Sequence, residues 1–292
     1  MKISIIGAGN VGTMTALFLK QYYYRDRDKI ILLDVKLGLA EGKAIDISQI
    51  TDDYKITGVT NSYEVTKDSD FVIITSGSPR RPGMTREDLI SINESIVKDV
   101  LDKSFEYSPN AKFIIVSNPV DTMTYLAVKY LGPKGVSPDN IFGFGNDLDT
   151  LRLQYYLKSL NIKYQDAYVI GGHGDKTMIP VVDVVNSVDE DKLRVIKEQT
   201  KSGGSAITSL LGTSASITPG YAISLLIRFV SGSDHNLTRC CSVYDPILDA
   251  CYGMRLININ DKICKVACPV EYQKDLDESV AKIKEVNSLL HV

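Results

Sequence analysis

The stretch Lys2-Ile-Ser-Ile-Ile-Gly-Ala-Gly-Asn-Val-Gly12 decides the fold. A short apolar run predicts a buried strand, and the GxGxxG spacing of Gly7, Ala8, Gly9, Asn10, Val11 and Gly12 follows it directly. The glycines allow a tight turn, a close approach of a pyrophosphate to the backbone, and close packing of the next helix on the strand. The free N–H groups of that helix then favour phosphate. We therefore predict a dinucleotide-binding turn.

Asp34 comes at the end of the second predicted strand. A carboxylate at this place accepts hydrogen bonds from both ribose hydroxyls and repels a 2′-phosphate. The sequence therefore favours NAD over NADP as cofactor.

The first half of the chain alternates β-branched apolar runs with helical stretches. Runs without polar alternation are typical of strands that are buried on both faces. We expect strands at Lys2–Ile6, Lys29–Asp34, Lys55–Thr60, Phe71–Thr75, Lys112–Ser117 and Asn140–Phe144, with helices that include Val11–Tyr24 and Thr85–Tyr107. This alternation predicts an α/β fold with a doubly wound parallel (Rossmann) sheet over residues 1–145.

After about residue 146 the pattern changes to a mixture of helices and short antiparallel strands. We expect a helix over Asp189–Leu211 that the Gly203-Gly204 pair would break, and a helix-like run at Leu225–Val230. We also expect strands at Leu237–Val243, Arg255–Ile259 and Lys262–Val266 and a closing helix over Gln273–Leu290. Residues 146–292 are therefore expected to form a second, mixed α+β domain that binds substrate and carries the catalytic groups.

Composition excludes several classes of protein. The chain has 292 residues, 44% of them hydrophobic, and a formal net charge of −3, which gives no global support for binding nucleic acid. No apolar run is long enough for a transmembrane helix. The N-terminus lacks a signal-peptide pattern, so we expect a cytoplasmic protein.

The sequence has five cysteines, and no two of them form a CxxC motif. We therefore expect reduced thiols and no metal, with a zinc site as the alternative. The five are Cys240, Cys241, Cys251, Cys264 and Cys268.

Histidine is the usual proton carrier at neutral pH, and the chain has three. His291 is penultimate and His235 lies in a polar turn, whereas His173 follows an apolar run and is flanked by glycines. His173 is therefore the preferred proton carrier. Its orienting carboxylate is either Asp175, which is near in sequence, or Asp149, which would share one helix face with Arg152.

Three arginines lie in the segment Ser76–Arg86 after the fourth predicted strand, at the sheet edge where open α/β folds bind ligands. Thr85 and Asp88 predict a capping box, which places Arg86 in a first helical turn, where the helix dipole disfavours a cation. Arg80, Arg81 and Arg86 suit a substrate with carboxylates, because guanidinium groups bind carboxylates bidentately.

Together these segments resemble the lactate/malate dehydrogenase family, and the group of lactate-dehydrogenase-like malate dehydrogenases in particular. The shared order of motifs carries the resemblance: Gly7–Gly12, Asp34, Gly42–Asp46, Pro79–Arg86, Asn93, Val116–Pro119, Leu148–Arg152 and Gly171–Asp175.

The resemblance implies a role for each matching residue. His173 would exchange the proton, paired with Asp149, and Arg86 would polarise the carbonyl. Arg152 would bind the 1-carboxylate of the substrate, and Arg80 would select a second carboxylate. Asn118 would contact the substrate and the nicotinamide end of NAD, and Asn93 and Val116 would line the cofactor site.

The resemblance thus implies an NAD-dependent malate dehydrogenase that acts on a dicarboxylate as a homodimer or homotetramer. Two alternatives stay open at this point. One is an L-lactate or broader 2-hydroxyacid dehydrogenase, and the other is a non-catalytic NAD-binding regulatory module.

Overall fold

The fold is described from a computed structural model. It covers residues 1–22, 28–51, 56–78, 85–233, 237–260 and 262–292, apart from the side chains of Tyr22, Thr51 and Arg86.

Six parallel strands form the first half of the sheet: β1 (Lys2–Ile6), β2 (Lys29–Asp34), β3 (Ile56–Thr60), β4 (Phe71–Ile74), β5 (Lys112–Ile115) and β6 (Ile141–Gly143). They lie in the order β3-β2-β1-β4-β5-β6. The connecting helices are α1 (Asn10–Tyr22), α2 (Leu39–Thr51), α3 (Arg86–Tyr107) and α4 (Val120–Leu131). This is the predicted doubly wound sheet. The order reverses between β1 and β4, so the carboxyl ends of these two strands open a crevice.

Side chains of the parallel strands enter two apolar layers, one on each face of the sheet. Ile5 and Ile73 pack into one layer, and Ile6 and Ile74, the next residues along each strand, pack into the other. Because both faces are covered, the strands consist of continuous apolar runs rather than alternating ones.

The second half is mixed, as predicted. It contains α5 (Asn146–Ser159), β7 (Tyr164–Gly171), β8 (Met178–Val184), α6 (Glu190–Leu211), α7 (Ile217–Val230), β9 (Thr238–Asp245), β10 (Ala250–Ile259), β11 (Lys262–Val266) and α8 (Gln273–Asn287). These strands pair antiparallel, and β9 joins β6 through Gly143 and Ser242. The sheet therefore continues across the predicted division at residues 145–146, and that division stays a prediction.

The second half differs from the expectations in three places, and the predicted break in α6 is wrong. Helix α6 runs unbroken through Gly203 and Gly204. Helix α7 begins eight residues before the predicted Leu225, with Pro219 in its first turn, where proline is tolerated. Strand β8 has no counterpart among the predicted strands; it contains Pro180 and lies at the edge of the sheet, where a proline is accepted.

Among the described helices, none combines the length and the apolar character needed to cross a membrane.

Candidate active site

The turn between β1 and α1 lies at the edge of the crevice. Gly7 has a φ of 113°, a conformation that favours glycine, and a Cβ added at Gly12 would lie 1.9 Å from the carbonyl oxygen of Gly7. A Cβ at Gly9, in contrast, would meet no atom within 4 Å. The turn is therefore closely packed at Gly7 and Gly12 and open at Gly9. Gly9 directly precedes Asn10 and Val11, the first two residues of α1. This shape fits the pyrophosphate of a dinucleotide.

Asp34 ends β2 next to this turn. Its Oδ2 accepts a hydrogen bond from the backbone N–H of Ala8 at 2.7 Å, and its Oδ1 accepts from the N–H of Lys36 at 2.8 Å. The carboxylate is thus oriented by two backbone groups at the point where a ribose would follow the pyrophosphate.

Asn93 on α3 connects the loops that follow β4 and β5. Its Oδ1 accepts from the N–H of Ser78 at 2.7 Å, and its Nδ2 donates to the carbonyl oxygen of Asn118 at 2.7 Å. Asn93 is 1% exposed, so it holds the two loops together from the protein interior. Val116 is half-buried, and Asn118 is exposed.

His173 lies after β7 and forms a hydrogen-bonded chain with two residues of α5. Its Nδ1 lies 2.6 Å from Oδ2 of Asp149, and Oδ1 of the same carboxylate accepts from Nη1 of Arg152 at 2.8 Å. Asp149 is fully buried. The structure thus brings together His173, Asp149 and Arg152, and between the two carboxylates left open by the sequence it places Asp149 on the imidazole.

The charges around His173 favour its protonated form. Burial opposes a charge on the imidazole, but Asp149 and, less strongly, Asp121 outweigh burial and raise the pKa of His173. The second imidazole nitrogen is not used by Asp149, so an imidazolium here can give a proton to a bound molecule.

Sequence reasoning missed the small residues that make room for this chain. A Cβ at Gly145 would lie 2.6 Å from Cγ of His173, and one at Gly204 would lie 3.3 Å from Nη1 of Arg152. The glycine pair in α6 therefore gives space to a guanidinium rather than breaking a helix. The sequence signal for this space was Gly145 directly before α5 and the Gly203-Gly204 pair in a helical run. It could not be interpreted because the side chains that these glycines accommodate are distant in sequence.

The arginine segment lies mostly outside the described residues. Arg80 and Arg81 belong to the undescribed range 79–84, and of Arg86 only the backbone is described, as the first residue of α3. The predicted capping box before it is confirmed: the Thr85 side chain accepts from the Asp88 N–H, and the Asp88 carboxylate accepts from the Thr85 N–H, both at 3.0 Å.

The five cysteines all lie in described ranges, and none forms a disulfide. Within those ranges no group of three or more His, Cys, Asp or Glu side chains is arranged to hold a metal ion.

Comparison with known proteins agrees with this geometry. The NAD-binding domain of lactate/malate dehydrogenase matches residues 1–143, and the α/β C-terminal domain of the same family matches residues 147–290. A malate dehydrogenase of Parabacteroides distasonis is 39% identical, covering 99% of this chain and 97% of that protein. One of Bacteroides thetaiotaomicron is 42% identical, covering 95% and 92%.

Solved structures give the same result. The malate dehydrogenase of Archaeoglobus fulgidus in complex with NADH superposes with a TM-score of 0.90 over 100% of both chains at 27% identity. The apo malate dehydrogenase of Picrophilus torridus gives a TM-score of 0.86 over 99% of this chain and 96% of that chain at 30% identity. An NAD-binding turn and a half-buried His173 paired with the buried Asp149 thus occur in a chain that belongs to the lactate/malate dehydrogenase family.

Proposed function

We propose that this chain is an NAD-dependent malate dehydrogenase, which interconverts malate and oxaloacetate. The observation that carries the proposal is the chain from His173 through Asp149 to Arg152, because it combines a proton carrier with a carboxylate-binding group at one site. The choice of substrate is supported by the two relatives named malate dehydrogenase, which this chain covers over 97% and 92% of their lengths.

His173 serves as the acid in oxaloacetate reduction. Asp149 holds Nδ1 and keeps the imidazolium charged, so the other nitrogen donates its proton to the carbonyl oxygen as negative charge develops there. In the reverse direction neutral His173 accepts the hydroxyl proton of malate. When bound, NADH supplies the hydride for reduction and NAD⁺ accepts it in oxidation.

Arginines hold the dicarboxylate in this proposal. Arg152 binds the 1-carboxylate with the donors that Asp149 leaves available, and its Nε has no hydrogen-bond partner within the described residues. Arg86 polarises the carbonyl and Arg80 binds the distal carboxylate. Asn118, which is exposed, would contact the substrate and the nicotinamide end of the cofactor.

NAD would be held at the carboxyl edge of the parallel strands. The open space at Gly9 would admit its pyrophosphate, and the N–H groups at the start of α1 would donate to it. Asp34 would accept from the ribose hydroxyls. Val116 lines the cofactor site, and Asn93 supports it by holding the loops at Ser78 and Asn118 together.

The direct test follows the oxidation of NADH by its ultraviolet absorbance, with oxaloacetate and with pyruvate as separate substrates. We expect kcat/KM for oxaloacetate to exceed that for pyruvate by at least about 100-fold, since pyruvate would leave a guanidinium without its partner. Comparable values for both, or a preference for pyruvate, would contradict malate dehydrogenase activity.

Arg80→Gln tests the origin of the selectivity. Because the variant removes the guanidinium that pairs with the distal carboxylate, the oxaloacetate-to-pyruvate ratio of kcat/KM should fall by at least about 100-fold. Arg81→Gln is the matched control, since it removes the adjacent charge. An unchanged ratio in Arg80→Gln, or an equal fall in the control, would remove Arg80 from this role.

We also propose that the protein acts in the cytoplasm as a homodimer or homotetramer. Free thiols at all five cysteines are consistent with a reducing compartment. Large apolar side chains are exposed at Ile45 and Ile50 of α2 and at Leu210 and Leu211 of α6, which a second copy could cover. Light scattering during size-exclusion chromatography gives the mass, and a monomer at micromolar concentration would contradict this assembly.

A further inference from the structure

The loop that carries His173 is fastened at several points. Within the loop, the Gly172 N–H donates to the carbonyl oxygen of Thr177 at 2.9 Å. From outside, the Ser279 hydroxyl on α8 donates to that same carbonyl oxygen at 2.8 Å. These contacts fix the ends of the loop but do not hold the backbone of His173 itself.

Asp121 holds that backbone. Its Oδ2 accepts a hydrogen bond from the N–H of His173 at 2.8 Å. The fit is close, because a Cβ added at Gly172 would lie 3.2 Å from the same oxygen. Asp121 lies in the first turn of α4, three residues after Asn118. One carboxylate thus joins the loop of the proton carrier to the segment that contains Asn118.

This placement is unfavourable for stability. Asp121 is 7% exposed, and burial raises the pKa of its carboxyl group against the opposing effect of hydrogen bonds from the His173 N–H and the Ser242 side chain. Burying a carboxyl group costs free energy that an apolar residue of similar size would not. A role in the site explains the residue better than a role in stabilising the fold.

We infer that Asp121 is a positioning residue of the dehydrogenase: by holding the backbone of His173 it sets the distance between the imidazole and Asn118. The inference rests on the proposed function. Asp149 orients the ring from α5, and Asp121 fixes the point from which the ring extends, so His173 is held at two places by two helices. Without the second contact the ring keeps its partner, but the loop is free to shift away from the substrate.

The experiment compares Asp121→Ala and Asp121→Asn with the wild-type protein. The Ala variant removes the acceptor, and the Asn variant keeps an oxygen that can accept from His173. We expect kcat for oxaloacetate reduction to fall at least about tenfold in Asp121→Ala, because small misplacements of a catalytic group are costly, and to recover to within about threefold of wild type in Asp121→Asn. The Kd for NADH should stay within about twofold in both. If Asp121→Ala does not fold, Asp121→Ser takes its place, since its hydroxyl is too short to reach His173.

Asp147→Ala is the matched control. Asp147 is another buried carboxyl group, with a pKa raised to about 6 by burial, but it accepts from the Cys240 N–H at 3.3 Å and lies beside Arg239 instead. Three results would overturn the inference: kcat of Asp121→Ala within about twofold of wild type, no recovery in Asp121→Asn, or an equal loss of kcat in the control. A wild-type protein inactive on oxaloacetate would instead contradict the proposed function.

Discussion

The proposed cofactor region and the proposed proton-transfer region of this protein are built in different ways. Around Gly7, Gly9 and Gly12 the essential property is the space that missing side chains leave, within one turn of contiguous sequence. Around His173 the essential property is a set of carboxylates, Asp149 and Asp121, that come from two other helices. The glycine turn is determined by the spacing of residues that are close in sequence. The surroundings of His173, in contrast, form only when the whole fold is in place.

His173→Asn should give the largest effect and should separate the two regions. Removal of the proton carrier is expected to lower kcat for oxaloacetate by about 10³-fold, while the Kd for NADH changes by less than about threefold. Steady-state assays and fluorescence titration with NADH measure the two quantities. His291→Asn is the control, because it removes an exposed imidazole that pairs with Glu94 rather than with Asp149. Near-normal turnover in His173→Asn would exclude His173 from the mechanism.

Asp149→Asn should lower kcat by about 10²-fold and also change the pH dependence. Asp149 raises the pKa of His173 against the effect of burial, so the neutral amide should lower that pKa. Oxaloacetate reduction needs the imidazolium and is lost as pH rises through this pKa. The alkaline limb of kcat/KM should therefore move to lower pH, and so should the acid limb of malate oxidation. Limbs that stay in place, or move to higher pH, would contradict the assignment.

Gly145→Ala tests the space around the imidazole. The new Cβ would lie 2.6 Å from Cγ of His173, so the imidazole must be displaced from its present position. We expect kcat to fall by about tenfold or more with little change in NADH affinity. Gly132→Ala, at a helix end where a Cβ would meet no atom within 4 Å, is the control. An unchanged kcat would show that the ring tolerates the displacement.

Gly9→Ala is the counterpart in the cofactor region and should have the smallest effect on kcat. A Cβ at Gly9 meets nothing in the protein, so Tm should change by no more than about 2 °C. The same Cβ would occupy the space proposed for the pyrophosphate, so the Kd for NADH should rise by about tenfold with kcat at saturation nearly unchanged. Unaltered NADH affinity would mean that the pyrophosphate does not pass this glycine.

The difference between the two regions also explains which parts of the fold and the site could be predicted from the sequence. The parallel strands, the turn after β1 and the capping box at Thr85 follow from patterns within a few residues, and the structure agrees with them. The carboxylate partner of His173 could not be chosen from periodicity, because Asp149 is 24 positions away along the chain and is brought near by the packing of α5 on β7. Asp121 gave no signal at all, since its partner is a backbone N–H 52 positions away.

The most direct test of the account is a crystal structure of the protein with NADH and an unreactive dicarboxylate analogue of oxaloacetate. The account predicts that the imidazole nitrogen not bound to Asp149 lies within about 3.2 Å of the analogue's central oxygen. It also predicts Arg152 on one carboxylate and Arg80 on the other. An imidazole turned away from the analogue, or a distal carboxylate that meets no arginine, would contradict it.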